Sequence, residues 1–274
     1  MNDLFSPTRF ALLLKKHITE EYKHYLTLAA GALGIMFVFS GLATVTNLGT
    51  QVDTKMPEMI FLLGFTLGGG IFASLAYQFF QQNAKGIRFL ELPASHFEKI
   101  AVMFIITQVV FFAGFLVVFY LNNWFWCMIY NTFHTMPSNI SPQRVKYFHA
   151  DLFDISSHSA KTAMVLFLVI SAISHFGSLS FQKIAFVKTS LVVIILGAVI
   201  LLLNYNYMKS LIPETNMPGG LFFHASVRLG DQRIARGFVL LPEIWENTIN
   251  YLLPGVLYIS FWMGSYWKLR EKQL

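Results

Sequence analysis

Residues 100–120 read IAVMFIITQVVFFAGFLVVFY and contain no Asp, Glu, Lys or Arg. A run of about 20 apolar residues makes a helix that crosses roughly 30 Å of hydrocarbon. Inside lipid the backbone must satisfy its own polar groups, which a continuous apolar run does as a helix. Five more runs are essentially free of charge: about 26–45, 59–79, 162–181, 186–204 and 250–267. The fold class expected is an all-α integral membrane protein with six transmembrane helices. It would form a single transmembrane domain over 1–274.

Composition points the same way. The chain is 55% hydrophobic and 12% charged, with a mean hydropathy of +0.55, against about 25% charged for a soluble domain. The longest stretches between runs, 121–161 and 205–249, are too short for a sizeable soluble domain. Cys127 is the only cysteine, which excludes an intrachain disulfide and cysteine-clustered metal or redox motifs. The sequence holds no G-x-S-x-G, H-E-x-x-H, Walker A or G-x-G-x-x-G pattern. Gly68-Gly69-Gly70 is followed by no Lys-Ser/Thr and reads as close helix packing inside the second run. The 28 Phe suit membrane packing. No basic surface interleaves with the aromatics, so no nucleic-acid partner is expected. The formal charge of +6 fits Lys and Arg facing anionic membrane lipid.

Charge distribution gives the orientation. With the N-terminus inside, Lys55, Arg144, Lys146, Lys161, Lys209, Arg228, Arg233 and Arg236 fall on long outside segments. The other 12 of the 20 Lys and Arg residues fall on short inside segments and the two ends. That asymmetry places both termini in the cytoplasm. The first run starts about 25 residues in, with no small-residue cleavage site after it, and reads as an uncleaved span.

Local patterns refine this outline. Ser6-Pro7 is a helix start, with Ser6 as N-cap and Pro7 in the first turn. Phe10, Leu13, Leu14, Ile18, Tyr22 and Tyr25 then share one helical face. Arg9, Lys15, Lys16, Glu20 and Lys23 occupy the other. The pattern predicts an amphipathic interface helix over 6–24, weakened only by Glu21 on the apolar face. Ser95 and Glu98 form a capping box after Pro93. This sets off residues 85–91 as a short surface element suited to docking a soluble partner. The brief turn from Lys183 to Lys188 makes the fourth and fifth spans antiparallel neighbours. Gly230-Asp231 suggests a hairpin pairing 227–229 with 232–234, and Pro242 opens a helix over 243–247. Residues 124–133 are apolar again and either extend the third span or lie in the interface.

Two places have the residue types of a reactive site. His149, Asp151, Asp154 and His158 offer two imidazoles and two carboxylates. On a helix Asp151, Asp154 and His158 would share a face, as zinc or a similar ion needs. The competing reading is an interfacial stretch in which Asp154 or Ser156 caps the fourth span. His175 is the only titratable group deep in a run, with Ser171, Ser174, Ser178 and Ser180 as candidate partners. Ion-driven transporters usually carry a buried charge on their path. Its absence from the spans implies that energy for any transport arrives from outside the chain.

Three motifs carry a resemblance: residues 85–99 (KGIRFLELPASHFEK), residues 181–189 (FQKIAFVKT) and residues 266–272 (YWKLREK). With the six-span outline they resemble the membrane (permease) subunits of type-2 exporter-class ABC transporters, in a small six-span bacterial subgroup. The resemblance implies a homodimer or heterodimer of permease subunits in the bacterial cytoplasmic (inner) membrane. Each would sit on a cytoplasmic ATP-binding-cassette ATPase that holds ATP and Mg, with no cofactor and no catalytic residue in this chain. It implies ATPase contacts through Lys85, Arg88, Phe89, Leu90 and Glu91. It implies a second contact through the interface helix, at Phe10, Leu13, Leu14, Lys15, Lys16, Ile18 and Tyr22. It also implies outside or re-entrant helices before the last span, which fits 243–247. The segment 121–161 is longer than that pattern expects. Two other readings stay open: a non-transporting membrane partner through which an ATPase transmits force to a periplasmic protein, and a metal-dependent membrane enzyme built on His149 to His158.

Overall fold

The computed structural model describes residues 5–48, 55–81, 83–133, 148–181, 184–211, 226–229, 237–240 and 251–272. Its elements in chain order are α1 (Pro7–Thr46), α2 (Lys55–Leu75), a 3₁₀ turn (Gln78–Gln81), α3 (Asn83–Leu90) and α4 (His96–Phe104). A π turn (Ile105–Val110) then leads into α5 (Phe111–Phe133), α6 (His158–Ser180) and α7 (Ala185–Leu211). Strands β1 (Ser226–Leu229) and β2 (Gly237–Leu240) precede α8 (Leu253–Glu271). Apart from the two-stranded ribbon the described residues are overwhelmingly helical. Among the described residues, four helical stretches are long and apolar enough to cross a membrane: Pro7–Thr46, Lys55–Phe80, His96–Phe133 and His158–Ser180.

The first helix differs from the expected arrangement. Ser6 takes the N-cap position ahead of Pro7, as read from the sequence. The interface helix expected over 6–24 is not separate, because α1 runs unbroken for 40 residues. At 1.5 Å per residue that is about 60 Å, twice the hydrocarbon thickness. Nothing between Glu20 and Ala30 breaks it: the stretch holds no Gly and no Pro. The third span is also longer than residues 100–120. The helical path from His96 to Phe133 covers 38 residues, so residues 124–133 extend the helix expected over 100–120.

The core is built from close helix contacts made possible by small residues. Helices α2 and α6 pack most extensively. A Cβ on Gly69 would lie 2.4 Å from Phe167, and one on Gly70 would lie 2.9 Å from Ile170. Both approaches demand glycine, so the Gly run is a packing device as the sequence suggested. The room it leaves is filled by rings. Phe65 stacks on Phe167 at 4.4 Å, and Phe61 stacks on Phe153 at 4.8 Å. Phe115 and Phe119 complete this cluster from α5. Each such pair adds about 0.5–1.5 kcal/mol beyond its area burial.

Helices α6 and α7 are neighbours, as the short turn required. Thr189 sits so close to Gly177 that any side chain there would overlap it. Helix α8 packs on α6 and α4, with Ser265 and Leu269 fully buried. A hairpin exists, but its second strand is not 232–234. Arg228 pairs with Phe238 and Val227 with Val239, because the apolar residues 238–240 suit a strand better than the charged stretch before them. Residues 230–236 and 243–247 lie outside the described residues, as do 134–147.

The start of α1 and the end of α8 both pack on α4. Leu269 near the end of α8 shares a buried cluster with Tyr77, Phe89, Ile100, Met103 and Leu179. The start of α1 is tied to the start of α4 through Arg9 and Glu98. Along the outer surface, Val38, Ile194 and Ile259 are more than half exposed. Apolar surface of that extent belongs against lipid, not water.

Candidate partner-docking site

The site forms where the start of α1, the short helix α3 and the start of α4 converge. Glu98 is its centre. Its side chain is completely buried. One carboxylate oxygen accepts from the Ser6 backbone N–H at 2.6 Å and from Arg9 Nη2 at 3.2 Å. The other accepts from the Ser95 N–H at 2.8 Å, while Ser95 Oγ accepts from the Glu98 N–H at 3.1 Å. The capping box read from the sequence is therefore present. Its acid does more than cap α4, because it also takes a donor from the first residues of the chain.

Lys99 fastens the third element. It is buried, donates to the Leu90 carbonyl at 2.8 Å, and lies 5.7 Å from the Phe89 ring centre. The C-terminus of α3 thus receives a cation at its last carbonyl. Phe89 packs on Phe79 at 4.6 Å, and Gly86 lets the helix close onto Phe80. On α1, His17 Nε2 lies 2.6 Å from the Tyr25 hydroxyl, and the Tyr25 ring packs on Phe72 at 5.2 Å.

Between α1 and α3 runs a groove of about 270 Å³. Leu13, Phe79, Phe89 and Val102 give it an apolar floor. Lys16, Glu20 and Glu21 line one side, and Lys85 and Arg88 the other. A surface with an apolar floor and a rim of both charge signs suits a protein partner.

Much of the expected site is brought together here. Leu13, Lys16, Lys85, Arg88 and Phe89 share the groove. Phe10 and Leu14 pack against the adjoining cluster of Leu13, Val102 and Ile106. Leu90 is half-buried and Glu91 and Lys15 are exposed. Ile18 and Tyr22 are not part of the packed face, since they are 41% and 46% exposed. The face that packs carries His17 and Glu21 instead, so Glu21 lines the groove. Three residues escaped the sequence reading. Arg9 and Ser6 bind an acid 89 or more positions away, and Lys99 was counted as an ordinary inside charge. Only its position at the head of an apolar run signalled burial.

The structure does not gather His149, Asp151, Asp154 and His158 on one helical face. Residues 149–156 are not helical, and α6 starts at His158 behind the N-cap Ser157, which accepts from Ala160. Asp151 and Asp154 therefore never share a helical face with His158. His149 Nδ1 lies 3.2 Å from Asp151. Asp154 accepts from the backbone and hydroxyl of Ser156, bonds that hold its carboxyl below the usual range. Neither Asp154 nor Ser156 is the cap. No group of three or more His, Cys, Asp or Glu among the described residues could hold a metal ion. His175 is wholly buried, and its ring nitrogen meets Ser265 of α8 at 3.3 Å instead of a serine on its own helix.

Comparison with protein-family models, with curated proteins and with solved structures finds no match.

Proposed function

We propose that this chain is the permease subunit of an ATP-driven exporter of the ABC class. It would form the translocation path with a second permease subunit and be driven by a separate cytoplasmic ATPase. The observation that carries the reading is the α3 element: a short amphipathic helix locked by Lys99 and Glu98 onto the heads of α4 and α1. A helix held this way converts a push from a soluble partner into movement of two long helices at once. In this reading six helices cross the cytoplasmic membrane, with both chain ends inside. Movement of α3 on ATP closure then opens the path by alternating access or by lateral extrusion along the subunit interface.

The test is coupling. Arg88→Glu and Glu91→Lys change the exposed face of α3 without touching its buried contacts. In the reconstituted complex each is expected to lower stimulated ATPase activity while the permease elutes and melts as before. Unchanged activity in both variants contradicts the placement.

A further inference from the structure

The path from α4 to α5 is not α-helical throughout. Between them lies the π turn Ile105–Val110, after which the Phe111 N–H is shared between the carbonyls of Ile106, five residues back, and Gln108, three back. A π turn holds one residue more than an α turn and is a common place for a long helix to bend. The widened turn carries three buried residues in succession, Ile106, Thr107 and Gln108, followed by the exposed Val109 and Val110.

The turn is also a border in the packing. Ahead of it, Val102 and Ile106 pack with Leu13 of α1, Met103 shares a cluster with Leu269 of α8, and Phe104 meets Trp262 at 5.0 Å. Behind it, Phe115 and Phe119 belong to the ring cluster with α2 and α6. Helix α1 passes from one half to the other, yet it buries no residue between His17 and Met36. Gly31 and Gly34 in that stretch meet nothing within 4 Å. At the border a polar pair spans two helices: Gln108 Nε2 donates to Ser171 Oγ at 2.9 Å, and both residues are buried. Such a bond fastens helices together where the surroundings are apolar.

We infer that the π turn is a swivel between these two halves, and that the Gln108–Ser171 bond is the latch that holds it closed. With the latch released, α4 tilts against the ring cluster and carries α3 and the head of α1 with it. The inference rests on the helix geometry and needs no ATPase, so it is tested on this chain alone.

The full chain in phosphatidylcholine nanodiscs, in a Cys127→Ser background, carries spin labels at Phe97→Cys and Val187→Cys, positions 54% and 56% exposed. Their separation, read by pulsed electron double resonance, follows the head of α4 against α7. A major and a minor distance are expected. Ser171→Ala and Gln108→Leu are each expected to raise the ratio of minor to major about fivefold, as loss of one neutral hydrogen bond does. Deletion of Val109 removes the extra residue of the turn and is expected to leave one distance. The two latch variants decide if the deletion does not elute as a folded protein. A second pair, Met59→Cys with Val117→Cys, joins α2 to α5 behind the turn and is expected to keep one distance throughout. The inference is overturned by identical distributions in the parent and both latch variants, by a minor distance that persists after the deletion, or by an equal change in the second pair.

Discussion

Glu98 joins the start of α1 to the start of α4 with one carboxylate. Its removal takes the carboxylate acceptor from the Ser6 and Ser95 backbone N–H groups and from the partly exposed Arg9 guanidinium. Hydrogen bonds to a charged group are worth about 1.5–3 kcal/mol each. Glu98→Ala is therefore expected to destabilise the protein by at least about 2 kcal/mol, read as a lower midpoint in detergent unfolding. Arg9→Ala is expected to cost less, because Arg9 is 41% exposed and one of three donors. Equal midpoints for Glu98→Ala and the parent would mean the acid holds nothing together. Half of this arrangement was legible in the sequence. Ser95 and Glu98 lie three positions apart, so their box follows from local spacing. The bonds to Ser6 and Arg9 span some 90 residues and follow only from how α1 lies against α4. The same holds for the His175 ring, whose partner Ser265 is 90 residues away, while the nearby Ser178 donates to the His175 carbonyl.

At the scale of elements, glycine sets helix distances. Gly69→Ala forces a methyl into the Phe167 ring. Overpacking of this kind costs about 1–3 kcal/mol. Gly114→Ala meets nothing within 4 Å and is expected to be neutral or to stabilise by up to about 1 kcal/mol through helix propensity. A thermal melt of the two variants side by side separates packing from propensity. If Gly69→Ala melts no lower than Gly114→Ala, the α2–α6 contact is not what the ring geometry says. The Gly run, the capping box and the antiparallel pair α6–α7 were readable because each depends on short-range pattern. The fusion of the first span with its amphipathic lead was not, since amphipathic and apolar helix share one backbone and nothing at the join marks a change. The hairpin was readable as a turn but not in register, because the alternation around Gly230 is too weak to fix which residues pair.

For the whole molecule, the contacts put the head of α1, the helix α3 and the end of α8 at one end of the bundle. The proposed topology, six crossings with both ends in the cytoplasm, would account for the charge asymmetry of the segments. A cysteine placed by Glu91→Cys in a Cys127→Ser background is expected to resist a membrane-impermeant maleimide on intact cells and to react after permeabilisation. Labelling on intact cells would invert the topology. The central claim, that an ATPase drives this chain from the α3 end, is tested most directly by affinity capture of the intact protein from mild detergent, with co-purifying chains identified by mass spectrometry. The account predicts a stoichiometric soluble chain carrying a Walker A motif, lost on Arg88→Glu. A chain that purifies alone in several mild detergents would contradict it.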